Sequence, residues 1–438
     1  MPESIKLSRR AFLVQSSVAG AGLLLGFHLP VQRKLAAAPL DSAGADQAVE
    51  VNAWIEIHPD NSVLIRVARS EMGQGIFTAL PMLVAEELDC DWSKVRAEYA
   101  SASENRRRDN VFQSMSTGGS RSVRGSQDYL RMAGAVTREL LVTAAAARWK
   151  VPFAECQAAN SVITHVPSGR TLDFGAVAAA AAQLEPPVEV FLKEPEEWRL
   201  LGTPVKRLDV PDKIAGTPVV GTDVAMPGLL LAAIRACPVF GGRLKHHDAA
   251  AIEKRPGVVQ VVALEDAVAV VAESWWQAQQ ALQALPVTWD EAGHGAVDDA
   301  AIRADLEAGL AADKAVVMAE HGKPDAALSS SVKQIGATFH APYLAHATME
   351  PMMCTAAVHQ DGRVEVWVPT QNASASLDAA ARVAGVDAQQ VTVHNTQLGG
   401  GFGRRGANQD YTGQAVRIAM AVGRPVKLLW SREEDTQH

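Results

Sequence analysis

Residues Val391–Arg405 read VTVHNTQLGGGFGRR. A β-branched run ends at once in Gly399, Gly400 and Gly401, then Phe402, Gly403, Arg404 and Arg405. Consecutive glycines let the backbone adopt positive φ and let a ligand approach the main chain with no Cβ in the way. Successive backbone N–H groups in such a turn can cup an anion or a metal-bound oxygen. The plain alternative is a glycine-rich turn between a strand and a helix. A helical pattern over Gln409–Val422 and a strand pattern over Pro425–Trp430 follow.

Working outward, VEVWV (364–368) predicts a strand, and Ala375–Ala384 a helix. Between them stands PTQN (369–372), so Gln371 sits at a strand end, where a side chain can point into a cleft. His394 reads as a core histidine. Glu350, in HATMEP (346–351), reads as a buried hydrogen-bonded acid ahead of a ligand. Strands are expected to resume after Lys333, and Gly293–Gly322 reads as a helix plus linker.

Residues 206–290 read as a self-contained α+β block. Strands are expected at Val219–Val224, Leu229–Arg235, Val258–Leu264, Ala267–Val271 and Pro286–Trp289, and helices at His247–Lys254 and Ser274–Leu285. Two more glycine turns lie nearer the N-terminus. EMGQGIFT (71–78) opens a helix that runs through Leu88, with Gln74 offering both an amide donor and an acceptor. STGGSRSV (116–123) precedes a long helix, Ser126–Trp149; such a loop either caps the helix or binds phosphate. Residues 51–70 alternate as strands about a turn at Pro59–Asn61. Arg106–Arg108 is a solvated basic run.

Residues 1–39 read as a targeting segment. Lys6, Arg9 and Arg10 start it, an apolar stretch runs from Ala11 to Leu29, and Ala36–Ala38 offers a cleavage site. Ser8–Leu13, SRRAFL, resembles a twin-arginine export signal, which implies a periplasmic protein, membrane-anchored if the signal is retained.

Composition narrows the classes. With 438 residues, 48% hydrophobic, the chain is long enough for several domains and is neither disordered nor polytopic. A net charge of −8 argues against a general nucleic-acid binder. Cys90, Cys156, Cys237 and Cys354 lie far apart with no CxxC, so any iron–sulfur cluster belongs on another chain.

Two readings of the glycine stretch follow. Gly401-x-Gly403-x-x-Gly406 between a strand and a helix fits a Rossmann dinucleotide fingerprint, hence an NAD-dependent oxidoreductase. Against it, Arg404 and Arg405 are bulky where a pyrophosphate should approach. The second reading takes all the glycine motifs together. GGGFGRR (399–405), PTQN (369–372), MGQG with Thr78 (72–78) and STGGSRSV (116–123) resemble the molybdenum-binding large subunit of the xanthine oxidase family, nearest its isoquinoline 1-oxidoreductase β-subunit and aldehyde dehydrogenase-like branch. KRLDVPDKIAGTPVVGTD and RPGVVQVV, within 206–290, resemble that family's a/b hammerhead domain.

The resemblance implies an α+β fold: a molybdopterin-binding segment over 50–200, permuted to the N-terminus; the a/b hammerhead over 206–290; and the first part of a molybdenum-cofactor domain over 333–438, truncated, so that the molybdopterin-binding domains are incomplete. It implies molybdopterin with molybdenum, as the cytosine dinucleotide, and no direct protein ligand to the metal. Gln371 would hydrogen-bond the metal oxo group. Gly400, Gly401, Phe402, Gly403 and Arg404 would line the metal, and Gly73, Gln74, Gly75, Thr78, Thr117, Gly118, Gly119 and Ser120 would hold the pterin and dinucleotide. An aldehyde or an electron-poor N-heterocycle would be hydroxylated with water as oxygen source. Electrons would leave to a small [2Fe–2S] subunit, with a c-type cytochrome as a further partner. Two departures accompany this. Gly406 stands where purine-hydroxylating relatives carry Glu, which disfavours xanthine. The family's general base, a Glu in a Gly-x-Gly-Glu-like motif, is matched by none of Glu350, Glu433 or Glu434. A non-catalytic truncated relative is therefore the third reading.

Overall fold

The computed structural model describes residues 48–310, 312 and 316–438; the export segment read from the sequence lies outside them. The alternating stretch after Ala48 becomes β1 (Val49–Asn52), β2 (Ile55–Ile57) and β3 (Val63–Val67), antiparallel, with β4 (Val95–Tyr99) parallel to β3. Their inward residues are buried because α1 (Ile76–Leu88) and α3 (Gln127–Trp149) cover the sheet; the short α2 (Ala102–Arg107) lies between them in sequence. Gly134 permits the close crossing of the long helices: a Cβ there would stand 2.4 Å from the Val84 carbonyl oxygen. Trp54 packs between Phe112 and Tyr129, with ring centroids 5.1 Å away in each case. A three-stranded sheet, β5 (Cys156–Ala159), β6 (Val162–His165) and β7 (Arg170–Asp173), and the one-turn α4 (Ala178–Ala181) complete this layer.

The chain then crosses α1 as a strap. Buried Glu86 accepts the backbone N–H groups of Arg199, Leu200 and Leu201 and pairs with Lys193 at 3.0 Å. A buried carboxylate tolerates its position only when its lone pairs are filled, so this cluster pins the strap to α1 at residues 199–201, ahead of α5 (Val210–Ala215).

The second layer is one seven-stranded sheet. It contains β8 (Leu230–Ala236), β10 (Val258–Ala263), β11 (Ala267–Ala272), β13 (Met353–Val358), β14 (Val364–Val368), β15 (Val391–Asn395) and β16 (Val426–Leu429). Their order is β10-β11-β8-β16-β13-β14-β15. β9 (Arg243–His247) and β12 (Val287–Asp290) form a separate ribbon. α6 (Trp275–Ala284) seals a small second core of Ala233, Val268, Val270, Ala278, Ala281 and Leu282. α7 (Asp299–Leu310) and α8 (Pro324–Ser330) are exposed; α9 (Ala373–Ala384) links β14 to β15, and α10 (Asp410–Val422) links β15 to β16 before α11 (Arg432–Gln437).

Several expectations change. The 206–290 block is not self-contained, because β8 pairs in parallel with β16 and joins its sheet to the C-terminal one. Val219–Val224 is a single tight turn, not a strand, and His247–Lys254 holds only one such turn, its start being taken by β9. Strands do not resume after Lys333: residues 333–347 are exposed and belong to no sheet, and the first strand begins at Met353. That segment has strand-forming residues, but a strand needs a neighbour to accept its ladder, and none lies beside it among the described residues. His394 is half-exposed on the sheet face, stacked on Trp367 with centroids 4.5 Å apart and hydrogen-bonded to Glu365 at 3.0 Å.

The topology removes the Rossmann reading. β15 and β16 flank a helix, as that fingerprint asks, yet two strands, β13 and β14, stand between them, and β13 is antiparallel to both its neighbours. A dinucleotide fold needs its first strands parallel and adjacent.

Candidate functional site

β14 and β15 are parallel neighbours whose carboxyl ends point the same way. Loops at such ends form ligand crevices. PTQN leaves one end and the glycine stretch leaves the other. Asn372 caps α9 by accepting the Ala375 N–H at 3.1 Å, which turns the chain sharply and sets Gln371 inside the corner.

Gln371 is 2% exposed and joins three loops. Its Nε2 donates to the Thr117 carbonyl at 2.8 Å, its Oε1 accepts the Gly403 N–H at 3.0 Å, and its own carbonyl accepts the Thr117 N–H at 2.7 Å. The fourth motif arrives through Met72: a Cβ on Gly401 would stand 2.9 Å from Met72 Sδ and 2.4 Å from Gln371 Oε1. The structure thus gathers residues 72, 117, 371 and 401–403, four motifs spread over the chain, into one place.

Each loop has its own fastening. Glu71, fully buried, accepts the N–H groups of Gly73 and Gly75 on Oε1 and of Phe77 on Oε2, while Arg207 pairs with it at 3.1 Å. Gly73 and Gly75, at φ 110° and 87°, make that tight winding attainable. Gln74 spends its amide on the same loop, accepting from Met72 N–H and donating to the Ser70 carbonyl. Thr78 accepts the Leu208 N–H at 2.9 Å, so its oxygen is engaged on the strap.

The glycine stretch is clamped by Arg405, which is fully buried. Its guanidinium donates to the carbonyls of Gly400 at 3.1 Å, Pro369 at 3.0 Å and Glu350 at 2.5 Å, and it pairs with the Glu350 carboxylate at 3.3 Å. Glu350 also accepts the Gly399 N–H at 3.1 Å, so it is a buried, hydrogen-bonded acid. Burial pushes the Glu350 carboxyl up and the Arg405 guanidinium down, and their mutual attraction opposes both shifts. Arg404 turns away to Asp410 at 2.9 Å and lies over Trp430, 5.3 Å from the ring centroid. Glu433 is exposed and Glu434 accepts the Ala236 N–H at 2.7 Å, so neither reaches this corner.

What faces outward is mostly backbone. Gly400 and Gly403 hold φ 95° and 103°; Phe402 holds φ 53° and is 72% exposed. A non-glycine residue in that region, with its ring in solvent, is strain of the kind found at ligand sites. Gly118 has no positive φ, and a Cβ there would meet nothing within 4 Å, so the fold does not need glycine at that position. The opening beside it admits a ligand to the main chain. The Gly403 N–H and Gln371 Oε1 are already bonded to each other, which leaves Gln371 its second amide N–H and one Oε1 lone pair. Arg69, singled out by no motif, lies beneath this loop. Its signal is burial without a carboxylate, which only the folded chain reveals.

Residues 19–208 match one molybdopterin cofactor-binding domain model, and residues 310–438 match a second. The beta chain of isoquinoline 1-oxidoreductase from Brevundimonas diminuta is 32% identical over 99% of this chain and 60% of its own length. The chain belongs to the molybdopterin cofactor-binding family of xanthine oxidase type. A membrane-bound aldehyde dehydrogenase of Gluconacetobacter polyoxogenes, whose name carries pyrroloquinoline-quinone, is 33% identical over 99% of this chain and 57% of its own. The B component of nicotinate dehydrogenase from Pseudomonas putida is 27% identical over 88% and 32%. The chain therefore spans about 60% of the first relative's length and less of the other two. Among solved structures, quinoline 2-oxidoreductase of Pseudomonas putida 86 gives a TM-score of 0.44 at 21% identity, over 53% of this chain and 35% of that one.

The corner at Gln371 fits such a cofactor. Its main-chain cradle is free of Cβ atoms at 118, 400, 401 and 403, it has a strained exposed aromatic at 402, and Gly118 holds open space. A pterin and its phosphate need hydrogen-bonding main chain and room more than charged side chains.

Proposed function

We propose that this chain forms part of the molybdenum cleft of an oxidoreductase that hydroxylates an N-heterocycle or oxidises an aldehyde, with water as oxygen source. The observation that carries the reading is the meeting of three separate glycine motifs at Gln371 of PTQN. When bound, the molybdenum cofactor supplies a two-electron sink and activates water at neutral pH. The chain's own part is to bind and orient. Main chain at Gly400–Gly403 would face the metal end, with Gln371 offering its remaining amide N–H. Gly73–Gly75 and Thr117–Ser120 would hold the pterin and a cytosine dinucleotide tail. Arg405 and Glu350 keep the glycine stretch in place. Two of the relatives are named as components of larger enzymes, which supports a separate iron–sulfur partner. The SRRAFL motif supports export to the periplasm.

The test is direct. The chain, made in cells that synthesise the cofactor, is assayed for molybdenum, for fluorescent oxidised pterin and for CMP released by acid. Dye reduction with isoquinoline and with an aliphatic aldehyde then reads the reaction. Molybdenum with pterin and CMP supports the reading. Pyrroloquinoline quinone in place of pterin would overturn it in favour of the cofactor in the aldehyde dehydrogenase's name.

A further inference from the structure

Strand β4 is an edge of its sheet, with β3 as its one neighbour among the described residues. The Ala100 N–H bonds the Val67 carbonyl at 2.9 Å. In an extended chain the main-chain groups of successive residues point to opposite sides, so the even residues of β4 face β3. Val95, Ala97 and Tyr99 therefore turn their N–H and C=O groups away from the sheet. The Val95 N–H is taken by the Trp92 carbonyl. The N–H groups of Ala97 and Tyr99, and the carbonyls of all three, make no hydrogen bond among the described residues. Such a row is a template for another strand.

A groove runs beside that edge. One cavity of about 520 Å³ is lined by the whole of β4, and a second of about 450 Å³ shares Val95 and Arg96 with it and continues to Asp60. Asn395 and Gln397, at the end of β15, border the first cavity, so edge strands of both sheets meet the groove. Asn395 Oδ1 is buried without a partner. Phe77 and Leu208 add apolar surface.

The charges along the groove are unequal. Lys94 and Arg96, both exposed, have no carboxylate within 4.0 Å among the described residues. The acids near them are engaged: Asp60 accepts the Ser62 N–H at 2.9 Å and the Ser62 hydroxyl at 2.7 Å, and Glu98 pairs with Arg66 at 3.3 Å. Asp209, further along, is held by Arg207 at 2.7 Å and Lys213 at 2.5 Å. The start of β4 thus presents cations that lack a counter-charge. The exposed strand-forming run 333–347 cannot supply it, because it holds Lys333, His340 and His346 and no carboxylate.

We propose that the open edge of β4 takes up an extended segment of a partner polypeptide as an added strand, with apolar residues on Phe77 and Leu208 and acidic residues facing Lys94 and Arg96. Main-chain bonds to Ala97 and Tyr99 attach it, and charge selects it. The Tyr99 hydroxyl accepts the Glu71 N–H at 3.1 Å, so the added strand braces β4 where it holds the Gly73–Gly75 loop. The docking itself needs no cofactor.

The full chain is titrated, by fluorescence anisotropy, with a labelled, end-capped peptide that alternates glutamate and valine and is long enough to span β4. Two further peptides carry lysine for glutamate, or a methyl on every amide nitrogen. Wild type is expected to bind the acidic peptide, and each of the others at least about tenfold more weakly, for want of charge or of the ladder. Ala97→Pro removes an N–H that faces the groove and not β3, a place where an edge strand tolerates proline. It is expected to fold and to bind the acidic peptide at least about tenfold more weakly, as loss of the main-chain ladder requires. Arg96→Glu is expected to reverse the order of the acidic and basic peptides. No binding of the acidic peptide to folded wild type overturns the proposal. Equal affinity for the methylated peptide, or in folded Ala97→Pro, overturns strand addition. Equal affinity for the lysine peptide overturns the acidic partner. If Ala97→Pro fails to fold, by circular dichroism, the methylated peptide on wild type decides. A dimer of wild type in sedimentation that Ala97→Pro dissolves would give the edge to a second copy and overturn the partner assignment.

Discussion

Gly401→Ala is the sharpest perturbation of the corner. The added methyl would lie 2.4 Å from Gln371 Oε1 and 2.8 Å from Gln371 Cδ. Met72 Sδ, at 2.9 Å, is the end of a flexible side chain and can yield. Gln371 cannot, because it is buried and bonded at both ends. Overpacking costs roughly 1–3 kcal/mol. Losing the bonds to Thr117 and Gly403 adds about 1 kcal/mol each. A local destabilisation of about 3–5 kcal/mol follows, on the same two principles. Backbone hydrogen exchange reads it best, since the opening is local. The Gly403 amide and residues 114–119 are expected to lose more than about a hundredfold of protection, at 1.4 kcal/mol per factor of ten. Strand β11, buried along its whole length, is expected to stay unchanged. Protection at Gly403 and Thr117 equal to wild type would refute the bridge by Gln371.

Gly118→Ala is expected to leave the unfolding midpoint unchanged, because its Cβ meets nothing within 4 Å, while cofactor content falls; a shifted midpoint with full cofactor would show a purely structural glycine. Arg405→Met strands the Glu350 carboxylate and four backbone carbonyls, and should cost about 3–5 kcal/mol in urea unfolding. Burial pushes the Glu434 carboxyl up to about 7 from 4.5, so the folded chain keeps a proton that the unfolded chain releases in that window. Stability should fall by about 3 kcal/mol as pH rises through it, and Glu434→Gln, which still accepts the Ala236 N–H, should abolish the fall. Replacing Arg9 and Arg10 by Lys should hold the protein in the cytoplasm on cell fractionation if SRRAFL directs export.

How far the sequence could be read depended on range. Helices α1, α3, α9 and α10 and strands β14 and β15 follow local periodicity, whereas the corner that PTQN makes with the glycine stretch was implied by the resemblance and not by periodicity. The union of β8 with β16 was not legible, because parallel pairing leaves no local mark on residues so far apart in sequence. The exposed run 333–347 misled for the converse reason: its residues suit a strand, and strand formation is settled by a neighbour. At the site, glycine spacing pointed to the loops but not to what fixes them. Glu71, Arg405 and Arg69 carry the fastening and the charge, and in sequence each is one more polar residue.

The most direct measurement is the molybdenum and pterin content of the purified, folded chain beside that of Gly401→Ala, both from a cofactor-making host. Equimolar molybdenum and pterin on the wild type, lost from the variant, is the expected result. A folded wild type with neither, or a Gly401→Ala chain loaded as fully, would contradict the cofactor cradle at Gln371.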